Sequence, residues 1–350
     1  MGRGTHTFDW IVALAAILLL SLGLITLLSI DHMFFRQQLV IGIVGIAFYF
    51  IFSKIEFSTY HYLDWYIYGA VIIFLMFTFL GPQVRGATRW LEIGSFRLQP
   101  SELAKPFFLV SISSLLVRYP PMTLKRIGMH MTLVALPFIL VFQQPDLGNA
   151  LIYLTSWLAM ILLSGIPLIA IILGGVITGI ILPLSSYFVK EYQKQRILTF
   201  LDPLLDPHGA GYNSIQAMIA VGSGRLLGSG FGRGTQSLLQ FLPERHTDFI
   251  FASFTEEFGF VGAAALIAIF YLMLWQLLRH AFRVREQLFA HLYIVGLFAL
   301  LLGHFVINVG MNIGLLPITG ITLPLVSYGG SSLLAIFIGL GIYEASRINR

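Results

Sequence analysis

The sequence predicts an all-α polytopic membrane protein of about ten transmembrane helices, with a large extracytoplasmic loop between helices 7 and 8. Three observations carry this reading. Of 350 residues, 57% are hydrophobic and only 11% are charged, with a mean hydropathy of +0.85. A soluble core of this length cannot bury so much apolar surface, so lipid is the solvent for most of the chain. Apolar runs of about twenty residues, the length a helix needs to cross a bilayer, recur along it. Between them, Lys190 to Asp248 holds no spanning run and is too long for a mere connector.

The apolar runs cover residues 9–30, 36–53, 62–80, 102–117, 128–143, 147–163, 167–187, 249–279, 288–313 and 329–346. The first lacks a basic start followed by a small-residue cleavage site, so it reads as a retained helix. An even number of crossings puts both termini on one side. Arg3, Lys54, Arg118, Lys125, Arg126, Arg279, Arg283, Arg285, Arg347 and Arg350 fall there, mostly in short loops or tails, and mark that side as cytoplasmic. The opposite face holds the loops 81–101, 188–248 and 314–328. It carries Arg85, Arg89, Arg97, Lys190, Lys194, Arg196, Arg225, Arg233 and Arg245 against the orienting bias, for which an anionic substrate is the simplest reason. The formal charge of +5 suits anionic lipid; scattered cations do not suggest nucleic acid. Zero cysteines excludes disulfides, thiolate metal sites and cysteine nucleophiles.

Residues 1–350 form a single integral membrane domain, in which the 188–248 loop, with its amphipathic helices, belongs to the active site. Glu191 to Leu201 spaces Tyr192, Ile197, Phe200 and Leu201 between charges, as an interfacial helix does, and Asp202-Pro203 ends it. Tyr212 to Val221 reads as a second short helix ended by Gly222-Ser-Gly224. The glycine-rich run that follows reads as flexible backbone with exposed N–H groups.

The loop closes on Pro243-Glu-Arg-His-Thr-Asp248. A carboxylate at a membrane rim can titrate near neutrality and act as general base, yet Asp is also a favoured helix N-cap, so Asp248 supports either role. His246 is the rival base. Glu102 and Lys105 sit three apart at the start of a membrane helix and share a face; they are a functional pair or a self-satisfying one. Asp146 reads as a cap or as a partner for an outer cation. Glu256 and Glu257 lie about two turns into a membrane run, where pairing with a basic group on a neighbouring helix is expected. His304, Asn308 and Asn312 make one polar stripe suited to interhelical hydrogen bonds. Gly314 to Gly330 is too broken to be a continuous helix and dips back to line the site.

Together Pro243 to Phe251, Gly86 to Gly94, Gln99 to Pro106, Gln144 to Gly148 and the Asn308 to Ser332 segment resemble the SEDS (shape, elongation, division and sporulation) family essentially end to end. Asp206 to Asn213 and Gly234 to Ser237 are more similar to its elongation members than to its division members. The resemblance implies a peptidoglycan glycosyltransferase that polymerises lipid II into β-1,4 glycan strands at the outer face of the bacterial cytoplasmic membrane. It also implies both termini in the cytoplasm, a class B penicillin-binding protein as crosslinking partner, and other elongation proteins around it. By the same resemblance the essential aspartate falls on Asp248, the important Glu and Lys on Glu102 and Lys105, a further acidic site on Asp146 and a loop threonine on Thr235. Arg89, Arg196 and Arg245 are expected at the pyrophosphate with Lys105, and Glu102 is expected to hold Lys105. No cofactor is required and no ligand spacing demands a metal, although a divalent cation, Mg or Mn, could replace some of these cations. Thr255 departs from the family's usual Gly or Ala. The competing functions are a lipid II flippase, a non-catalytic scaffold, and the division or sporulation paralogue of the same family.

Overall fold

The computed structural model describes residues 8–81, 88–93, 96–175, 196, 198–203, 206–207 and 211–348. Arg3, Arg85, Lys190, Lys194, Arg350, the later part of the seventh apolar run and most of the helix expected over 191–201 lie outside the described residues.

The helices are α1 (Trp10–Ile30), α2 (His32–Ser53), α3 (Phe57–Tyr62), α4 (Asp64–Phe77), α5 (Pro100–Leu103), α6 (Lys105–Arg118), α7 (Leu124–Gln143), α8 (Leu147–Leu163), α9 (Tyr212–Ser223), α10 (Thr235–Leu238), α11 (Ile250–Arg283), α12 (Leu288–Asn312) and α13 (Gly330–Ile348). Six stretches, α1, α2, α5–α6, α7, α11 and α12, are long and apolar enough to cross a membrane; α4 and α8 are shorter apolar helices. Each expected run apart from the seventh coincides with a helix, and of the seventh, residues 168–175 are helical. A two-stranded antiparallel hairpin, β1 (Leu91–Ile93) with β2 (Phe96–Leu98), has no counterpart in the sequence reading. Strands of three residues are too short to give an alternating pattern.

Local chemistry sets the helix ends. Asp31 forms the whole turn between α1 and α2, its side chain accepting the Met33 N–H at 2.7 Å. Pro100 is the first residue of α5 and Pro106 the second of α6, within the first turn where a missing N–H costs little. Asp146 caps α8 by accepting the Asn149 N–H at 3.2 Å. Buried hydroxyls find carbonyls: Tyr153 donates to Ser101 at 2.9 Å and Tyr293 to Gly339 at 2.8 Å. An unpaired polar group there would be costly.

The loops gather at the two ends of the bundle as the sequence divides them. At one end Phe34 stacks on His246, Arg89 bonds the Gln144 and Pro145 carbonyls, and the Gln99 N–H bonds Ser331 Oγ. At the other, Arg118 pairs with Asp64, and Arg347 with Asp9.

The helix α11 is not continuous. Gly259 has φ 69° and ψ −168°, a conformation open to glycine and not to residues with a Cβ. The glycine-rich run supplies the hydrogen bonds lost at this break. Phe260 N–H donates to the Arg225 carbonyl at 2.8 Å and Val261 N–H to that of Leu226 at 3.1 Å. In return Ser229 and Gly230 donate to the Glu256 and Glu257 carbonyls at 2.9 and 3.0 Å. The run is therefore pinned, not the flexible backbone expected of it. Thr255 is accommodated by donating its hydroxyl to the Phe251 carbonyl at 2.8 Å.

A Cβ at Gly259 would stand 2.2 Å from the Gly228 nitrogen, whereas one at Gly222 would meet nothing within 4 Å. Gly259→Ala is therefore expected to destabilise the protein by about 2–4 kcal/mol, and Gly222→Ala to leave it nearly unchanged. Thermal unfolding of the two variants in detergent checks the difference.

Candidate active site

The turn that ends the long loop is held by its backbone. Asn308 and Asn312, one turn apart on α12, both donate their side-chain amides to the Asp248 carbonyl, at 2.9 and 3.0 Å. Asn308 also donates to the Ile321 carbonyl at 2.7 Å, tying in the broken segment that follows α12. Ser327 Oγ donates to the Thr247 carbonyl at 2.7 Å, and Tyr328 N–H to the His246 carbonyl at 2.8 Å. Gln38 of α2 donates to the Ser327 carbonyl at 2.9 Å. The His246 ring lies face to face on Phe34, with centroids 4.1 Å apart, so packing occupies it.

Among the described residues these bonds leave the Asp248 carboxylate free. It does not cap α11: that helix has no side-chain cap at its first residue, and Asn312 Oδ1 takes the Ala252 N–H at 3.1 Å instead. Gly320 (φ 77°) passes alongside, where an added Cβ would lie 3.5 Å from Asp248 Oδ2. Burial raises the Asp248 carboxyl to a pKa of about 7. The Glu244 and Asp146 charges push the same way, while the Arg196 and Arg89 guanidiniums oppose them. A carboxylate in this state accepts a proton readily near neutral pH.

Below it, Lys105 is a hub. Only 2% exposed, its ammonium contacts Glu102 Oε2 at 2.8 Å, Asn149 Oδ1 at 2.7 Å and His304 Nε2 at 2.8 Å. Three protons meet three acceptors, so no donor remains for a ligand in this arrangement. Because Nε2 accepts, the other ring nitrogen of His304 carries the proton and donates to the Thr322 carbonyl at 3.2 Å. Asn149 passes the network on to Asp146 Oδ2 at 2.9 Å, which Gln99 also bonds at 3.0 Å.

The structure thus brings Asp248, Arg89, Arg196 and Asp146 into one electrostatic group, and joins Glu102 and Lys105 to it through Asn149. Two expected site residues stand apart. Thr235 opens α10 and donates to Glu256 Oε1 at 3.3 Å. Burial lowers the pKa of the Arg245 guanidinium, the charge of Asp31 opposes this, and Arg245 is not among the charges that act on Asp248. Among the described residues, neutral donors stand where a cation partner of Glu256 and Glu257 is expected. Glu256 takes the Gln236 and Ser237 N–H groups and the Ser237 hydroxyl at 2.8, 3.1 and 2.7 Å, covering the start of α10. Glu257 accepts from Ser29 at the end of α1.

The Asn308–Asn312 stripe, expected to join helices, instead bonds the backbone of the turn at Asp248. Asn149 and Gln38 were missed altogether, and Gln99 and Ser327 stood inside the family motifs without a role. The one signal available was Asn149 standing three residues after Asp146. Among the described residues no three His, Asp or Glu side chains gather as a metal site.

The "Cell cycle protein" family FTSW_RODA_SPOVE matches residues 5–350. The chain belongs to this family, the SEDS proteins. Its relatives include the peptidoglycan glycosyltransferase MrdB of Escherichia coli K12, 41% identical over 81% of this chain and 78% of that protein. RodA of Treponema pallidum, also described as a peptidoglycan glycosyltransferase, is 31% identical over 97% of each. Among solved structures, a chain from work on polymerization and crosslinking by a peptidoglycan synthase complex superposes with a TM-score of 0.85 at 29% identity, covering 97% of this chain and 98% of that one. The Thermus thermophilus rod shape determining protein RodA gives 0.74 at 27% identity, covering 97% of both.

Removing one member of a buried ion pair strands the other. Lys105→Met is expected to cost about 3–5 kcal/mol, and Lys105→Met with Glu102→Gln markedly less than the single change. A double-mutant cycle on unfolding midpoints reads this directly.

Proposed function

We propose that this SEDS protein is a peptidoglycan glycosyltransferase of cell elongation, polymerising lipid II with Asp248 as general base. The observation that carries this is a carboxylate without a hydrogen bond among the described residues, poised near neutrality, with the charges of Arg89 and Arg196 acting on it. In the reaction an acceptor sugar hydroxyl gives its proton to Asp248 as its oxygen bonds the donor's anomeric carbon. The bond from that carbon to the polyprenyl diphosphate breaks, and the diphosphate leaves with the electron pair. A positioned base supplies about 10²–10⁴-fold, and fixed cations stabilise the charge that develops on the leaving group. Arg89 and Arg196 are assigned to that charge, with Arg245 and Thr235 at the margin of the substrate path. Glu102, Lys105 and Asp146 hold the frame.

The scheme needs no bound cofactor. A divalent ion would act on the diphosphate itself, and titrating Mg²⁺ or Mn²⁺ against a chelator measures that share. The proposed setting is the bacterial cytoplasmic membrane, with both termini inside and Asp248 at the outer face. The proposed partner is a class B penicillin-binding protein that crosslinks the new strand, with other elongation proteins around the pair. The relatives that are peptidoglycan glycosyltransferases support the activity, and the synthase complex that couples polymerization to crosslinking supports a crosslinking partner.

Purified protein reconstituted with lipid II and its transpeptidase should yield glycan polymer, and Asp248→Ala should abolish it while folding persists. Wild-type polymer yield from Asp248→Ala would sink the base assignment, and lipid flipping without polymer would favour a transporter.

The base must be ionised, so the initial rate should fall about tenfold per pH unit below about pH 7 and level off above it. Glu244→Gln removes a neighbouring negative charge and should move this limb to lower pH. Arg196→Gln should move it to higher pH and also lower the plateau.

A further inference from the structure

The break in α11 fixes where one loop meets the bilayer. From Phe260 to Arg283 the helix runs uninterrupted for about 36 Å, enough by itself to cross a hydrocarbon core of about 30 Å. The membrane boundary near Asp248 therefore falls close to Phe260. Phe260 and Val261 are 64% and 56% exposed, as a lipid-facing entry point would be. Ser29, at the end of the spanning helix α1, bonds Glu257 and marks the same level.

At this level sits the glycine-rich loop, its backbone bonded to Phe260 and Val261. It presents Leu226, Leu227 and Phe231, which are 68%, 80% and 51% exposed. The exposure is fixed by the interlock with the broken helix, so these side chains cannot fold back under the loop. Arg225 and Arg233 flank them, both exposed and without an ion pair among the described residues, and residues 224–234 contain no acid. Bulky apolar groups continuous with a lipid-facing helix, bordered by unopposed cations, match the chemistry of an anionic phospholipid surface.

We propose that this loop is an interfacial lipid anchor. Leu226, Leu227 and Phe231 enter the acyl boundary, and Arg225 and Arg233 take phospholipid phosphates. The anchor grips the same break from which Ile250 to Phe258 leads back to Asp248, so it fixes the height of the carboxylate above the lipid. It stands whatever reaction Asp248 supports.

The chain has no cysteine, so Leu227→Cys offers a single labelling point at a well-exposed position. The full-length protein would carry an environment-sensitive fluorophore there, in nanodiscs of phosphatidylcholine with phosphatidylglycerol. Glu92→Cys on the hairpin serves as the reference. At residue 227 the emission should be blue-shifted, and quenched several-fold more by lipids carrying a nitroxide near the headgroup than by aqueous iodide; residue 92 should show the reverse. Adding Arg225→Gln and Arg233→Gln should remove the dependence of that quenching on phosphatidylglycerol content. Iodide access at 227 equal to that at 92 in lipid alone overturns the proposal. Shielding that appears only when a partner protein is added overturns it too, and assigns the surface to protein docking.

Discussion

Two side-chain amides on a single carbonyl oxygen organise this protein. Asn308 and Asn312 are fully buried and each gives a donor to the backbone of Asp248, while Asn312 also takes the Ala252 N–H in the first turn of α11. Helix ends normally draw on their own residues for such duties. Moving them to a neighbouring helix relieves Asp248 of structural work, so its carboxylate answers only to burial and to the charges around it. The polar stripe costs α12 three apolar positions, and in exchange the turn is fixed to a spanning helix on one side and to Ser327 on the other.

The same helix face connects two regions that differ in chemistry. His304, one turn further down, closes the coordination of Lys105, while Asn308 and Asn312 close the turn above. Lys105 in turn joins α6, α8 and α12, and Thr322 joins the broken segment to the same hub. Every member of this network has its donors and acceptors matched, which is what allows ionised groups to remain inside a bundle. Asp146 belongs to both regions: it caps α8, takes part in the Lys105 network, and adds its charge to the field on Asp248. Frame and site are therefore one electrostatic system.

Much of this was legible beforehand. The length and spacing of apolar runs determine the spanning helices, because a bilayer imposes one length on all of them. The convergence of residues 88–93, 96–101, 211–248 and 314–328 at one end follows from counting crossings. What stayed hidden depended on contacts distant in sequence. Whether Asp248 capped its helix could not be decided locally, since the competing group, Asn312, is 64 residues away. The glycine-rich run looked loose because glycines permit mobility as easily as close approach; only the break at Gly259 reveals which applies. Glu256 and Glu257 were read as lying deep in a continuous span for the same reason. With the helix interrupted, Glu257 sits level with the end of α1 and takes the Ser29 hydroxyl, and Glu256 takes the donors at the start of α10.

The division of labour around residue 248 has a genetic corollary. Since neighbours supply the anchoring and the capping, a chain that has lost this acid keeps every contact by which the turn is built. If Asp248 is the base proposed above, such a copy would still take its place beside a partner protein and occupy it without turnover. In cells carrying both alleles the damaged version should therefore poison wall growth, a dominant phenotype, whereas lesions at Asn308 or Lys105 that undo the architecture should be recessive.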